Sequence, residues 1–504
     1  MLKMVDGTGI IGVDMVCPLG GAVSPPQPPN YDNVEMEGVG SLVLPNSLKA
    51  PLERLELIGN STQGENPAPD NPQEIKSAGR KSKNLFNIAD LRVGQVQKDG
   101  TINEKQIYYR TVILDVPQDG KYRITFNSND DYTMLYFTEA YANGAYSNPY
   151  IRVHAGNPNY YITLAKGKNI LSFSTHTASG NIAFTTDHNI MIAAESETLD
   201  YEPYGYFFDL KITGKNLFDR EKARDITNWI VRDGNGYAKF PIRVGKGNKV
   251  TFYYSEKLTT GKGFYVGITQ SETSAIVSWL YHSAETNLNN KKYTAVAAGD
   301  YIYLSCTISG IQKFVDTIQT LQVEIGSEPT PYELYTEQAL TLTSDRPVTK
   351  WDKLVEQDGQ IGWLYKHRIV NDLSALVKDS EPIYGKDGEK YFSVSLQGAL
   401  FNYDYNKIYS VAGLCPKDSK IHYVPKPMLQ SVVIYVSDTD TIMTAKEHMH
   451  YKVIYETTDS QFAPLSESEQ TQLRNLHSYN GTTNITVDSG EVPCGIKLTY
   501  RKEI

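Results

Sequence analysis

Cysteine is scarce in this chain of 504 residues. The four cysteines, Cys17, Cys306, Cys415 and Cys494, are scattered over the whole length without a Cys-x-x-Cys pair. Disulfide-stapled domains and zinc knuckles depend on closely spaced cysteines. Both classes are therefore excluded, and we expect four free thiols.

Long apolar runs and an excess of basic charge are also missing. No stretch reaches the 18 or so apolar residues that a membrane-spanning helix requires. The 49 Lys and Arg against 58 Asp and Glu give a net charge of −9, which disfavours general nucleic-acid binding. Asp14 interrupts what would be the apolar part of a secretion signal, so we interpret the first residues as an N-terminal arm.

Tyrosine, in contrast, is abundant, with 36 Tyr against 15 Phe. A tyrosine combines an apolar ring with a hydroxyl group that stays in water, which suits half-exposed sheet faces and sugar-stacking surfaces. The simpler interpretation of any one tyrosine is a solvent-facing position on a β-strand.

Internal repetition is the strongest pattern in the chain. The sequence KNLFN at 83–87 returns as KNLFD at 215–219, an offset of 132 residues. A closing motif around Tyr201 returns around Tyr332, an offset of 131. Between them, 161–174 matches 293–306, with Gly167 and Gly299 in register. The chain therefore carries two copies of one module, each long enough to be a whole domain.

Each copy contains short β-branched and aromatic runs separated by Gly, Asn, Asp and Pro, a spacing typical of a β-sandwich or jelly roll. We therefore predict a mainly β, multidomain chain with two tandem β-sandwich (jelly-roll-like) modules and a C-terminal β-rich domain with one short helix. The predicted divisions are an N-terminal arm and Pro-rich linker at 1–30, a small β segment at 31–82, module 1 at 83–208, module 2 at 209–338, a β-hairpin connector at 339–370 and the C-terminal domain at 371–504.

Two local patterns in the last third of the chain are specific. Asp358-Gly359 between two alternating runs predicts a tight hairpin turn. Ser466 and Glu469 form a capping-box pattern before an apolar helical stripe, and we expect that helix to end at Asn480-Gly481.

In these motifs the chain resembles tail and baseplate proteins of phages and prophages from low-GC, mainly Gram-positive, bacteria. The resemblance begins near Leu48 and rests on the order of the segments at 51–79, 83–87, 215–219, 321–335, 351–366 and 464–502. The first module departs from the pattern at its close, where AAESETLDYEPY replaces the usual form, so its loop at 195–197 is expected to differ.

The resemblance implies a virion structural or receptor-binding protein whose jelly-roll modules are like carbohydrate-binding domains. It also implies a homo-oligomer, with a trimer favoured. The N-terminal arm is expected to dock onto other tail or baseplate proteins as an extended strand. The expected location is the phage tail, after synthesis in the bacterial cytoplasm, without membrane insertion or nucleic-acid binding.

Aromatic residues on loops and exposed strands are the candidates for sugar binding, since a pyranose stacks its C–H face on a ring while polar neighbours bind its hydroxyls. The first module offers five tyrosines, with Asn129, Asp131 and Arg152 nearby. The second module offers three aromatic residues, with His282 nearby. The candidate rings are Tyr132, Tyr136, Tyr141, Tyr146 and Tyr150 in the first module and Tyr265, Trp279 and Tyr281 in the second.

Catalytic and metal patterns are sparse. The sequence has no G-x-S-x-G elbow, no H-E-x-x-H and no phosphate-binding glycine loop. His448 and His450 would share one face of a strand, but a third metal ligand is not evident. Asp233-Gly234 is interpreted as a turn in preference to a calcium loop. We expect no enzyme activity, no cofactor and no metal.

The leading hypothesis is a phage tail or baseplate component that binds host surface carbohydrate through its tandem modules, with many weak contacts reinforced by copy number. Two alternatives remain open. One is a tail-spike depolymerase or esterase, which would require a carboxylate pair or similar centre formed by the fold. The other is a purely architectural baseplate protein. A secreted adhesin is disfavoured because no signal peptide is recognised.

Overall fold

The structure is a computed structural model, and it describes the chain in segments. The described residues are 5–6, 9–10, 30–63, 75–126, 134–157, 159–176, 189–198, 200–232, 235–254, 265–268, 278–282, 292–297, 299, 301–307, 321–370, 383–384, 390–395, 408–411, 421–422, 431–436 and 452–504. The predicted N-terminal arm therefore lies almost wholly outside the described residues, as do Cys17, Cys415, His448 and His450.

The chain before the first module forms eight short or medium strands. They are β1 (Val5–Asp6), β2 (Gly9–Ile10), β3 (Tyr31–Val39), β4 (Ser41–Ser47), β5 (Glu53–Ile58), β6 (Ser61–Gln63), β7 (Ile75–Ser77) and β8 (Arg80–Lys81). In β3 and β4 polar and apolar residues alternate, which is typical of a sheet with one buried face.

Module 1 and the strand after it are almost entirely β. Their strands are β9 (Arg92–Val93), β10 (Gln95–Val96), β11 (Ile102–Asn103), β12 (Arg110–Val116), β13 (Gly120–Thr125), β14 (Met134–Ala142), β15 (Ala145–Ser147), β16 (Ile151–His154), β17 (Tyr160–Leu164), β18 (Gly167–His176), β19 (Met191–Ala194) and β20 (Tyr206–Thr213). A 3-10 turn at Ile88–Asp90 precedes them.

Module 2 opens with helix α1 (Arg220–Arg224) and a 3-10 turn at Ile226–Asn228, neither of which the sequence patterns predict. Its strands are β21 (Trp229–Arg232), β22 (Asn235–Ala238), β23 (Ile242–Arg243), β24 (Lys249–Tyr254), β25 (Tyr265–Ile268), β26 (Ser278–His282), β27 (Lys292–Val296), β28 (Tyr301–Thr307) and β29 (Leu321–Ile325).

The rest of the chain forms β30 (Glu337–Ser344), β31 (Lys353–Gln357), β32 (Gln360–Val370), β33 (Ile383–Tyr384), β34 (Lys390–Ser395), β35 (Ile408–Val411), β36 (Ile421–His422), β37 (Ser431–Val436), β38 (Lys452–Pro464), helix α2 (Glu467–Arg474), β39 (Gly481–Asp488) and β40 (Gly495–Glu503). The predicted mainly β, multidomain class is confirmed.

Both specific local patterns form structure at the predicted places. Asp358 and Gly359 turn the chain between β31 and β32 with φ of 51° and 78°, values that a two-residue hairpin favours. Ser466 and Glu469 make both hydrogen bonds of a capping box at the start of α2. The expected helix end at Asn480 is wrong, because α2 stops at Arg474 and Gly481 begins β39.

A twelve-stranded sheet assembles from segments far apart in sequence, and we call it the scaffold sheet. Its strand order is β30-β20-β39-β4-β3-β40-β5-β31-β32-β38-β35, with β8 beside β20. β20 spans the predicted boundary between residues 208 and 209 and pairs along its whole length with β30. The predicted small β segment, hairpin connector and C-terminal domain all contribute strands to this one sheet, an arrangement that their linear division does not anticipate.

The scaffold core is built on the apolar face of these strands. Phe208 and Trp363 contact each other with ring centroids 4.7 Å apart, and the Trp363 indole donates to the Thr343 carbonyl at 2.8 Å. Leu498 of β40 is fully buried in the same cluster, opposite Met36 of β3. The first and last parts of the described chain are therefore joined by one core.

The two modules have equivalent sheets. In module 1, β18 lies between β12 and β14 in the larger sheet, and β13 lies between β17 and β19 in the smaller one. In module 2, β28 lies between β22 and β25, and β24 lies between β27 and β29. The chain leaves the scaffold sheet after β8 to form module 1, returns as β20, and leaves again to form module 2 before β30.

The repeated KNLF motif ties the start of each module to its last strand. In module 1, the buried Asn84 accepts hydrogen bonds through Oδ1 from the backbone N–H groups of Phe86 (2.9 Å) and Ile192 (3.0 Å). Its Nδ2 donates to the carbonyl of Ile190 at 3.0 Å. The bonds of this one amide side chain thus reinforce the backbone hydrogen bond from the Leu85 N–H to the Ile192 carbonyl at 2.8 Å.

Module 2 repeats this clasp. Asn216 accepts from the N–H groups of Phe218 (3.0 Å) and Val323 (3.2 Å), and donates to the carbonyl of Glu333 at 2.9 Å. The repetition of the motif therefore has a structural explanation in both copies.

The closing loops differ between the copies. In module 2, the buried Glu324 accepts from the N–H and hydroxyl of Thr330, and Gln322 donates to the same threonine. Module 1 has Met191 and Ala193 at the corresponding positions, 131 residues earlier, and neither side chain can make these bonds.

The clasp gives a first prediction. Replacing Asn84 with Ala leaves two buried N–H groups and one carbonyl without partners, and we expect a loss of about 3 kcal/mol in the unfolding free energy of module 1. Denaturant unfolding followed by hydrogen exchange in β19 measures the effect. The control Asn157→Ala removes an exposed side chain with a single bond to the Asn159 N–H and should change little. Equal losses in both variants would contradict the role given to the clasp.

The shared core gives a second prediction. Leu498→Ala should cost about 3 kcal/mol by creating a cavity, and hydrogen exchange should rise in β3 and β5 as well as in β40. The neighbouring Lys497 pairs with Glu35 and Glu37 outside the core, so Lys497→Ala should have a much smaller effect. An increase confined to β40 would show that the scaffold strands are not stabilised together.

Candidate carbohydrate-binding face

Four of the predicted sugar-binding residues lie on one face of module 1. Tyr136 of β14 is opposite Arg152 of β16, and Tyr141 of β14 is opposite Tyr146 of β15. Residues directly opposite each other in antiparallel strands share a face of the sheet. We call Tyr136, Tyr141, Tyr146 and Arg152 the tyrosine face.

A β-bulge puts the two halves of this face on the same side. Tyr136 and Tyr141 are five positions apart, and strict alternation would send them to opposite faces. The register of β14 against β18 shifts between Phe137 and Glu139, so one extra residue restores the phase. Leu135, Phe137 and Ala140 pack against the module core, and both tyrosines therefore face outwards.

Arg152 and Tyr136 form a cation–aromatic contact, with the guanidinium carbon 5.2 Å from the ring centroid. Arg152 is exposed and Tyr136 is half-buried. A guanidinium group held over a ring presents hydrogen-bond donors beside an apolar surface, the combination that sugar hydroxyls and C–H groups require.

Tyr146 lies in a more acidic part of the face. Burial is the main cause that raises the pKa of its hydroxyl, and the nearby charges of Glu139 and Tyr150 raise it further. Tyr146 therefore remains a neutral hydrogen-bond donor and acceptor at physiological pH. Tyr150, also a sequence candidate, has 75% of its surface exposed.

The hairpin of β10 and β11 covers the neighbouring part of the sheet. Val96 is buried, and its N–H donates to the hydroxyl of Ser172 at 2.7 Å. The turn of this hairpin contacts Tyr141, because a Cβ at Gly100 would lie 2.7 Å from the tyrosine ring. The hairpin therefore forms one wall beside the tyrosine face and holds Tyr141 in place.

The remaining sequence candidates are not brought into this site. Tyr132, with Asn129 and Asp131, lies outside the described residues. In module 2, Tyr265 pairs with His282, whereas Tyr281 pairs with Val266.

These pairings place the positions of Tyr265 and Tyr281 on opposite faces of their sheet. Trp279 pairs with Gly267 across a register shift. The backbone register therefore does not align all three module 2 positions on one face.

A cation–aromatic group on the smaller sheet of module 1 escaped the sequence patterns. The Lys121 Nζ lies 3.9 Å from the centroid of the Tyr161 ring, and Arg123 lies on the same ring. Lys121 also pairs with Glu195 at 2.9 Å. Lys121 and Arg123 are two residues apart on β13, so alternation alone could have placed them on one face.

Comparison with known proteins gives no family. No protein-family model matches the chain, and no curated protein is similar enough to be identified as a relative. Among the described residues, no group of three or more His, Cys, Asp or Glu side chains is placed to hold a metal ion. Within the same part of the chain, no helix is long and apolar enough to cross a membrane.

The wall beside the tyrosine face gives a third prediction. Gly100 has a φ of 81°, so Gly100→Ala combines backbone strain with a clash against Tyr141, and we expect a loss of about 2 kcal/mol. Gly144 has a similar φ of 79° but open space around it, so Gly144→Ala isolates the strain. Thermal unfolding and the NMR signals of the Tyr141 ring should change more for Gly100→Ala. Indistinguishable variants would mean that the hairpin does not hold Tyr141.

Proposed function

We propose that this protein is a structural, receptor-binding component of the tail or baseplate of a phage or phage-like particle. It binds host surface carbohydrate through its β-sandwich modules, and it acts by adhesion without catalysis. The single observation that carries the binding role is the tyrosine face, where a bulge aligns Tyr136 and Tyr141 on the outer side of one sheet.

The dimensions of this face suit an extended glycan. Tyr136 and Tyr141 are separated by four register steps, or about 13 Å along the strand. That distance allows two sugar rings of one glycan to stack on the two tyrosine rings. Arg152, which lies over the Tyr136 ring, is exposed to water beside the first of these contacts. Such contacts are individually weak, and several copies in one particle would convert them into firm adhesion.

The scaffold sheet supports the attachment role. Asn30 lies directly before β3 at one edge of the described scaffold, and its carbonyl accepts from the Ile504 N–H at 2.6 Å. Both modules are inserted between scaffold strands, so each is held by two chain connections. This arrangement suits a base that attaches through the N-terminal arm to other tail proteins while the modules contact the host. The homo-oligomer, with a trimer favoured, is part of this proposal.

Paired variants test the binding role. The double variant Tyr136→Ala, Arg152→Ala should weaken binding to purified host cell-wall glycan about tenfold or more, because each stacking contact contributes about 1 kcal/mol. Particles that carry it should assemble normally and adsorb poorly. Tyr161→Ala removes a ring from the smaller sheet and serves as the matched control.

Other outcomes separate the alternatives. Normal adsorption by the double variant would contradict glycan binding at this face. If the unaltered protein binds no host glycan and particles assemble normally, a purely architectural role would be favoured. Release of reducing ends or acyl groups from the glycan would instead favour a depolymerase or esterase.

A further inference from the structure

A cleft of about 420 Å³ lies where module 2 meets the scaffold sheet. One wall is the outer surface of scaffold strands β4, β20, β30 and β39, and the other is the segment Phe240–Gly245 with Tyr301. We call it the scaffold cleft. A volume in this range accommodates a small ligand.

The two walls are joined by Arg243. Its Nη1 donates to the Val487 carbonyl of β39 at 3.2 Å, and its guanidinium carbon lies 5.9 Å from the centroid of the Tyr301 ring. The hydrogen bond from Arg243 to β39 therefore fixes one side of the cleft, and the Tyr301 ring lies beside it.

Two polar atoms next to the cleft are covered by protein and have no hydrogen-bond partner among the described residues, so they do not themselves contact a ligand. Asn484 is 3% exposed, and its Nδ2 donates to the Gly214 carbonyl at 2.7 Å. This bond fixes the amide so that Oδ1 is an acceptor, and no donor for that oxygen is found among the described residues. The buried Nε of Arg243 likewise has no acceptor in the described part of the chain.

The charges around the cleft are nearly balanced. Lys211 pairs with Glu337, and Asp209 lies 3.5 Å from Arg80. Lys222, Arg243 and Asp488 also line the cleft. Because groups of both charges are present, a ligand whose hydroxyls both donate and accept hydrogen bonds suits the cleft better than an ion of one sign.

Aromatic rings complete the lining. Phe240, Tyr301 and Tyr335 are each half-buried and line the cleft. Partly exposed rings next to a guanidinium and a carboxylate match a ligand that has an apolar C–H face and hydroxyl groups. An uncharged pyranose is the simplest ligand class with both features.

We infer that the scaffold cleft is a second carbohydrate site, which binds one uncharged sugar ring between module 2 and the scaffold sheet. Hydroxyls of the sugar bind the guanidinium of Arg243 and the carboxylate of Asp488, and the ring stacks on Tyr301. The inference rests on the proposed function only for the chemical class of the ligand, since none of its residues belongs to the tyrosine face.

Module 1 has no equivalent of this site. In module 2, Arg243 pairs with Tyr301, next to the core pair Ile242 and Ile302. By the offset of 132 residues, Tyr301 corresponds to Asn169, which pairs with Leu114 on the larger sheet of module 1. The duplicated fold therefore carries an arginine and a tyrosine in one copy where it carries a leucine and an asparagine in the other.

The test uses the full chain and four uncharged probes, D-glucose, D-galactose, N-acetyl-D-glucosamine and L-rhamnose, with glucose 6-phosphate as a charged probe. Saturation-transfer NMR and titration detect binding up to about 50 mM, well above a millimolar Kd. The variants are Tyr301→Ala, which removes the ring, and Thr486→Trp, which fills the cleft. Tyr301→Phe keeps the ring, and Tyr161→Ala is the distant control.

We expect at least one uncharged sugar to bind the unaltered protein and the tyrosine-face double variant alike. Tyr301→Ala should weaken this binding about tenfold, Thr486→Trp should abolish it, and Tyr301→Phe and Tyr161→Ala should leave it within about twofold. Hydrogen exchange in β24 and β39 reports whether each variant is folded.

Several results would overturn the inference. They are binding that persists in both Tyr301→Ala and Thr486→Trp, binding of glucose 6-phosphate alone, and absence of uncharged-sugar binding in the tyrosine-face double variant. If the double variant binds no uncharged sugar but the unaltered protein does, the cleft inference is wrong and the proposed function is still supported. Conversely, if Tyr301→Ala and Thr486→Trp lose all sugar and glycan binding while the tyrosine-face double variant keeps it, that result would support the cleft site and contradict glycan binding at the tyrosine face.

Discussion

The rest of the structure depends on the antiparallel pairing of β3 with β40. Nine consecutive residues of Tyr31–Val39 pair with nine of Gly495–Glu503, and β40 then pairs with β5 on its other edge. This pairing joins the half of the scaffold sheet from β30 to β3 to the half from β40 to β35. Both modules are inserted between strands of that sheet, so both depend on it for support.

Local chemistry made much of the fold predictable. The Asp358-Gly359 turn and the Ser466 capping box depend only on neighbouring residues, and both form at the expected places. The repeat was visible because the clasp asparagines, Asn84 and Asn216, satisfy buried backbone groups that few other side chains could satisfy. The scaffold sheet could not be predicted in the same way, since its strand order is set by packing between distant segments and leaves no local pattern.

The candidate sites show the same limit. Sequence patterns selected Tyr136, Tyr141, Tyr146 and Arg152, but whether they share a face depends on a one-residue bulge that alternation cannot reveal. The scaffold cleft was invisible, because Arg243 and Asn484 come from segments more than 200 residues apart and no spacing rule links them. A shared fold thus carries two different surfaces, one from a bulge in the first copy and one from a contact that only the second copy makes.

The scaffold sheet also constrains how the protein is made. Its contact order is very high, since Tyr31 cannot pair with Glu503 until all the residues between them have been synthesised. Each sandwich contains its own strands and clasp, so it can fold during translation before β40, the last scaffold strand in sequence, has been made. The modules can therefore finish folding before the scaffold sheet does, and the edge of β5 that later pairs with β40 must be kept from foreign strands until β40 has been made.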